Sequence, residues 1–436
     1  MLGRATKGEL WLFGLAVLFL SGAPSSLYVK LFAFAPPAPE ALLLGPVLVL
    51  MTANMVVRLP ATITGAFTVW SWLALAALAC ASFLWSVSAG DTLREGAVLL
   101  VSVLYLGMVA GIADWEDLLE TLWRVCRALI VLSFALFVFI PSIGKMAEIY
   151  PGALSGPWFE KNAMGQFFLW ASLVNYALLM VRPGRLVPAL LWTGACAAGI
   201  ALTESTTALL AFAAATGVVL LVAPLRRGFV ISIPALLVIV LLGGPLAVLL
   251  GGEGAALVEA VGKSGTLTGR VPIWQALIDF SLDDRPWLGH GYAAFWANEY
   301  EYTSRALVYD LVKYRVPHSH NTLIEARLDL GWLGAGLWLF AFAQLLGMSL
   351  LRLRGSQGAY LALPVCAGLA LVATVEISPF SVANLGGMLF VLSLAKMTRA
   401  PSRADRRSGA WGFVKAMAAR DDNGTGYGPA FPVVRA

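Results

Sequence analysis

The strongest constraint on this chain is a succession of apolar windows about 20 residues long, enough for a helix to cross a ~30 Å hydrocarbon core. They fall near 9–27, 39–57, 66–86, 93–112, 126–144, 163–181, 186–202, 207–224, 229–250, 331–351, 358–378 and 380–397. Only 13% of the 436 residues are charged, and the mean hydropathy is +0.80. A soluble domain carries about 25% charged residues. The expected fold is an all-α polytopic membrane protein with about 12 transmembrane helices. The first window, flanked by Arg4 and Lys7, reads as a first span rather than a signal peptide, because many spans follow it.

Charge sets the expected orientation. Alternate loops carry Arg58, Arg124 and Arg127, Arg182 and Arg185, Arg226 and Arg227, and Arg352 and Arg354. Short basic loops stay in the cytoplasm, so both basic termini are expected inside and the other loops outside. The resulting plan has transmembrane helices 1–9 in residues 1–250, an outward loop with short helices in 251–320, helices 10–12 in 321–398, and a disordered cytoplasmic tail in 399–436. The net charge of +5 is spread over short loops, so nucleic acid is not an expected partner. Cys80, Cys126, Cys196 and Cys366 fall in or beside spans without metal-ligand spacing and suggest no disulfide framework. No cofactor is implied.

The polar chemistry is concentrated between Lys263 and Gly331. That stretch holds every histidine (His290, His318 and His320) together with Lys263, Arg270, Arg285, Arg305, Lys313 and Arg315. Within it, Ile273, Leu277 and Phe280 recur at helical spacing, so an amphipathic helix is expected from Pro272, lying on the membrane surface. Thr322 and Glu325 have the spacing of a capping box opening a helix. If unbroken to Leu351, that helix has ~30 residues and is ~45 Å long, longer than the hydrocarbon core. Its first turns, with Asn321, Glu325, Arg327 and Asp329, are then expected outside the membrane or along a wet cavity.

His318-Ser-His320-Asn321 is the sharpest local signal. An imidazole can take a proton from a sugar hydroxyl or orient a pyrophosphate; the alternative is a solvated turn before the helix. Two histidines alone do not make a metal site, and no further ligands are spaced to join them. Arg270, in Thr268-Gly-Arg270, suits bidentate phosphate binding, or is a surface arginine. Lys161, beside Asn162 in the other polar outward loop, reads as a second phosphate contact or as an interface anchor. Glu204, in the turn between the seventh and eighth spans, must lie near the outer surface or be paired. His290, between glycines, reads as structural.

Taken together these residues resemble the O-antigen ligase and polysaccharide polymerase family of bacterial envelope proteins. Phe159-Glu-Lys161-Asn162-Ala-Met-Gly-Gln166 is similar to the family's Asn-x-x-Gly span entry. Leu202-Thr-Glu-Ser205-Thr-Thr-Ala-Leu-Leu is similar to its Ser-Arg-x-x-Leu element. Thr268-Gly-Arg270-x-x-x-Trp274, followed by Arg285-Pro-Trp-Leu-Gly-His-Gly-Tyr-Ala-Ala-Phe-Trp296, resembles its outward loop. His318-Ser-His320-Asn321, followed by Leu330-Gly331-Trp-Leu-Gly334, resembles its histidine-bearing span entry.

The resemblance implies a GT-C-like fold in the bacterial inner membrane, with the long periplasmic loop before the tenth helix and an active site facing the periplasm. It implies a metal-independent, inverting glycosyltransferase. The donor would be an undecaprenyl-pyrophosphate-linked glycan and the acceptor a growing glycan or lipid A core, with membrane lipids around the protein. His320 would then be the catalytic histidine and Arg270 the pyrophosphate ligand. Asn162, Lys161, His318, Asn321, Arg285 and Glu325 would line the substrate site. The sequence departs from the family where many members have arginine after the serine of the 203–206 turn; here that residue is Thr206. Lys161, Lys263 or Arg285 would have to replace it. The Gly-Tyr-Ala-Ala-Phe-Trp296 ending looks closer to exopolysaccharide polymerases than to ligases. A secondary transporter is the competing class, but no internal repeat is visible and the polar cluster lies outside the spans.

Overall fold

The computed structural model describes residues 3–32, 39–147, 150–226, 270–297, 309, 318–353, 356–377 and 380–399. The window expected near 229–250, the loop residues 251–269 and 298–317 apart from Tyr309, and the tail beyond Arg399 lie outside the described residues. Lys263, Arg305, Lys313 and Arg315 lie there too. The regular structure that is described is helical, with one isolated antiparallel bridge between Lys145 and Leu154.

The helices are α1 (Lys7–Leu20), α2 (Ala23–Leu31), α3 (Pro39–Val57), α4 (Leu59–Thr68), α5 (Trp70–Ala81), α6 (Ala89–Ile112), α7 (Trp115–Phe139) and the single turn α8 (Pro141–Gly144). There follow α9 (Lys161–Val181), α10 (Leu186–Leu202), α11 (Thr206–Arg226), α12 (Arg270–Phe280), α13 (Thr322–Leu351), α14 (Ala359–Val375) and α15 (Leu385–Thr398). By length and apolar composition, four of them (α6, α7, α9 and α13) can each cross a membrane, or up to six spans if each bent pair counts as one. The bent pairs are α1 with α2, at 52°, and α3 with α4, at 102°. Thus the window near 9–27 is a broken helix, and that near 66–86 is divided at Val69 between α4 and α5. Of the other apolar helices, α10, α14 and α15 are shorter than 18 residues.

Local chemistry explains the bends. Thr6 caps α1 in a reciprocal box with Glu9. The Glu9 carboxylate also accepts from Arg58 Nε at 2.7 Å and Nη2 at 3.0 Å, which anchors the α3–α4 bend to the start of α1. The polar Ser21-Gly22 break between α1 and α2 is held by Trp158, whose Nε1 donates to Ser21 O at 2.9 Å. The interior is closed by aromatic side chains: Trp72 and Trp338 both meet Phe390 edge-on, at 5.2 and 6.3 Å between ring centroids.

The expected long helix from Asn321 to Leu351 is present as α13, but it is not unbroken. Gly331 has φ +64° and ψ −162°, which interrupts the helical ladder. The freed backbone groups are taken by the loop 285–297. His290 N donates to Leu328 O at 2.7 Å and Gly291 N to Asp329 O at 2.9 Å; Trp332 N donates to Pro286 O at 2.8 Å. The same loop clasps the α5–α6 corner, where Val87 N donates to His290 O at 2.9 Å and Tyr292 N to Ser82 Oγ at 3.0 Å. His290 is buried, packed edge-on to Phe295 at 5.1 Å, and burial pushes its imidazole below the ordinary histidine range. Its place is structural, as its glycine-flanked setting suggests.

The amphipathic helix expected from Pro272 is α12, described over Arg270–Phe280. Its buried face, Ile273, Ala276 and Leu277, packs with Leu282, Phe295 and Leu328 in a small core of its own, so this face is covered by protein rather than by lipid.

Candidate active site

Four polar segments converge at one end of the bundle: the start of α9, the start of α12, the turn 318–321 and Glu376, which ends α14. Glu376 is their common partner. Its Oε1 accepts from Arg270 Nη2 at 2.6 Å and from Asn162 Nδ2 at 3.1 Å. Its Oε2 lies 3.6 Å from His320 Nδ1, an ion-pair distance rather than a hydrogen bond. Burial raises the Glu376 carboxyl, but His320 and Arg270 more than offset this and hold it below the ordinary carboxylate range. It is therefore an ionised, almost fully buried group that gathers Arg270, Asn162 and His320 around it.

The histidine turn is fixed from behind. His320 has φ +55°, a left-handed backbone uncommon outside glycine. Its N–H donates to His318 Nδ1 at 3.2 Å, and the two rings lie 4.0 Å apart. Because His318 Nδ1 accepts, the neutral ring carries its proton on Nε2. Burial, with His320 nearby, pushes His318 down to about 3, so it is neutral at physiological pH. Trp274 Nε1 donates to Ser319 O at 2.8 Å.

Asn321, rather than Thr322, caps α13: its Oδ1 accepts from Leu323 N at 2.9 Å and Ile324 N at 3.0 Å. The expected capping box is replaced, because Glu325 accepts instead from Ser319 N at 2.9 Å and Trp296 Nε1 at 3.0 Å. Asn321 Nδ2 and Thr322 Oγ1 also donate to Thr374 O and Glu376 O, which stitches the start of α13 to the end of α14.

Of the residues singled out from sequence, Arg270, Asn162, His318 and His320 are thus brought together. Asn321 and Glu325 are buried behind the turn and spend their polar atoms on holding it. Lys161 is nearly buried; its amine donates to Glu204 O at 3.1 Å and sits 3.2 Å from the Tyr150 ring centroid. That places a cation at the turn whose Thr206 is the departure from the resemblance noted above. The same turn joins the cluster through Ser205 Oγ, which donates to Asn162 Oδ1 at 2.9 Å. Glu204 itself has an exposed side chain. Arg285 is elsewhere: its Nη1 donates to Trp85 O at 2.9 Å in the loop clasp.

A cleft of about 260 Å³ opens beside the cluster. Glu160, Gln166, His318 and Glu376 give it a polar end, while Trp158, Phe167, Trp170 and Leu385 make the rest apolar. Sequence reasoning missed Glu376. The signal was present, since a carboxylate at the end of an apolar run is as costly as Glu204 would be.

The two histidines do gain a third potential ligand. Donor atoms of His318, His320 and Glu376 lie within 4.8 Å of one another, enough to hold a metal ion. The Arg270 guanidinium on Glu376 opposes a cation there, and His318 Nδ1 is already an acceptor.

Arg270→Lys keeps the charge but loses the planar fork that holds Glu376 and leaves further N–H groups for a second anion. Activity is expected to fall by about 10²-fold, the effect of losing one preorganised donor, while membrane insertion is unchanged. Near-normal activity in this variant would reduce Arg270 to a structural partner of Glu376.

Part of the chain is similar to known proteins. A family model described as O-Antigen ligase matches residues 189–339, which include Arg270, His318 and His320 but neither Asn162 nor Glu376. The exopolysaccharide production protein ExoQ of Rhizobium meliloti (strain 1021) is 27% identical over 280 residues. That alignment covers 62% of this chain and 63% of ExoQ, so the chain matches less than two-thirds of its relative's length.

Proposed function

We propose that this protein is a glycosyltransferase acting on a lipid-pyrophosphate-linked glycan; the match of residues 189–339 to a model described as O-Antigen ligase and the likeness to an exopolysaccharide production protein support the reading. The acceptor is a glycan hydroxyl at the outer face of the bacterial inner membrane, and polysaccharide polymerisation is the favoured activity. The observation that carries the reading is the Arg270–Glu376–His320 chain beside a cleft that is polar at one end and apolar along the rest. The apolar wall of that cleft suits an isoprenoid chain, and Arg270, paired with Glu376 at the polar end, would supply the charge for a pyrophosphate. The likeness to an exopolysaccharide production protein favours polymerase over ligase. The wider plan of about 12 helices in a GT-C-like arrangement, with the site on the periplasmic side, belongs to the same proposal.

The chemistry follows from the geometry. With its proton on Nδ1, towards Glu376, His320 presents a lone pair on Nε2. That nitrogen takes the proton of the acceptor hydroxyl as its oxygen attacks the anomeric carbon. The bond from that carbon to the pyrophosphate breaks with inversion, and the electron pair leaves with the lipid pyrophosphate. Arg270, which spends one N–H on Glu376, has others for the departing charge, and Lys161 at the Glu204 turn supplies a further cation. Glu376 steadies the imidazolium that forms, as a carboxylate does behind a histidine base. His318 Nε2–H and Asn162 complete the lining.

No divalent ion is needed in this scheme, since cationic side chains carry the leaving-group charge. Protein purified in detergent, given a lipid-pyrophosphate-linked repeat unit, should extend the glycan equally with and without a chelator. Absence of glycan transfer to any hydroxyl acceptor would defeat the proposal. Activity lost to the chelator and restored by one metal would instead assign His318, His320 and Glu376 as ligands.

A further inference from the structure

A second polar cleft lies at the far end of the bundle from the candidate active site. Helix α9 connects the two, with Lys161 at one end and Val181 at the other; its 21 residues span about 30 Å at 1.5 Å each. This cleft, of about 50 Å³, lies where α7, the end of α9 and the start of α10 meet. Trp123 of α7 and Trp192 of α10 form its aromatic wall, edge to face at 5.7 Å. Arg127, Arg182 and Arg185 supply its charge.

The arginines are not equivalent. Arg182 is held by Glu116 and Glu120, donating to Glu120 Oε2 at 3.0 Å. Arg185 reaches the same carboxylate at 3.8 Å, and Arg124 takes its other oxygen at 3.3 Å. The two carboxylates are therefore already shared among these neighbours. Arg127, half-buried and one helical turn beyond Trp123, has no hydrogen-bond or ion-pair partner among the described residues. None of its nitrogens is among the buried unpartnered atoms of the described residues, so its donors are open to an anion entering the cleft. Arginine is suited to the oxygens of a phosphate, and tryptophan belongs at the level of lipid headgroups.

We infer that this cleft binds the phosphate of an anionic membrane lipid, with Arg127 as its principal ligand and Arg185 as a second. Basic pockets between membrane helices on the cytoplasmic side take such headgroups, and the cleft's volume fits a phosphate group while leaving the acyl chains along the bundle surface. The site is independent of the glycan chemistry, so it stands or falls separately from the proposed function.

The test is retention of lipid by the full-length protein in detergent, read by native mass spectrometry. The probes are phosphatidylglycerol, cardiolipin, phosphatidylcholine and inorganic phosphate. Wild-type protein should retain the anionic lipids in preference to phosphatidylcholine. Arg127→Gln should weaken that retention roughly tenfold, the effect of losing one charged hydrogen-bonding partner, and Arg127→Lys by less. Arg185→Gln, at an exposed position, gives a second reading if Arg127→Gln does not fold, which its melting in lipid-free detergent reveals. Equal retention by wild type and the glutamine variants, or no preference over phosphatidylcholine, overturns the inference. Arg127-dependent binding of inorganic phosphate without retained lipid would assign a soluble anion and overturn the lipid as the source.

Discussion

Replacing His320 with alanine is expected to lower glycan transfer by about 10²–10⁴-fold, the usual contribution of a positioned base, without hindering membrane insertion. An acceptor hydroxyl holds its proton at neutral pH, and His320 is the imidazole whose Nδ1 faces the Glu376 carboxylate. The backbone at this position is left-handed, which asparagine tolerates better than alanine. His320→Asn is thus the companion variant that separates lost chemistry from strain in the turn, and it should be as inactive as His320→Ala. His318→Ala should be milder, because His318 is a neutral lining group that accepts the His320 N–H. In cells the accumulated intermediate distinguishes the two activities. A polymerase variant leaves single repeat units on the lipid carrier. A ligase variant leaves long lipid-linked chains and unsubstituted lipid A core. Normal glycan from a well-inserted His320→Ala protein would refute the assignment.

The largest effect on folding is expected at Gly331. Its φ of +64° with ψ of −162° lies in a region that only glycine enters readily. A Cβ there would overlap the carbonyl carbon of Trp287, backbone that cannot swing aside because it closes the α13 break. Backbone strain of about 1–3 kcal/mol and overpacking of about 1–3 kcal/mol act together against a total stability of about 5–15 kcal/mol. Gly331→Ala should therefore lower the melting temperature well below that of the wild type and displace the 285–297 loop. Gly336 lies in the same helix, and a Cβ added there would meet nothing within 4 Å, so Gly336→Ala is the matched control. A Gly331→Ala protein that melts with the wild type would show that the kink is not required.

That the chain is helical and membrane-embedded was legible in its residues alone, because the thickness of a hydrocarbon layer is written locally, as the length of an apolar run. The histidine turn, Arg270 and the helix that begins beside Asn321 stood out in the one long polar stretch, and Asn162 through the resemblance of the 159–166 segment; the structure brings Arg270, Asn162 and the turn to one carboxylate. The places where helices break were not. Whether the ladder ends at Gly331 depends on the 285–297 loop being there to take the freed N–H and C=O groups, a contact between distant parts of the chain. For the same reason Arg285, which looks like a phosphate ligand in sequence, turned out to bind Trp85 O in that clasp. Asn321 and Glu325 likewise spend their polar atoms on the turn that holds the histidines.

Glu376 became the centre of the site only through the packing of the helices. At the end of α14 it resembles any carboxylate marking the edge of a span. Its role arises because the α13 cap is hydrogen-bonded to the end of α14, which brings His320, Arg270 and Asn162 to one buried carboxylate. A buried charge persists only with such partners around it, and which residues become its partners is decided by contacts between helices far apart in the chain.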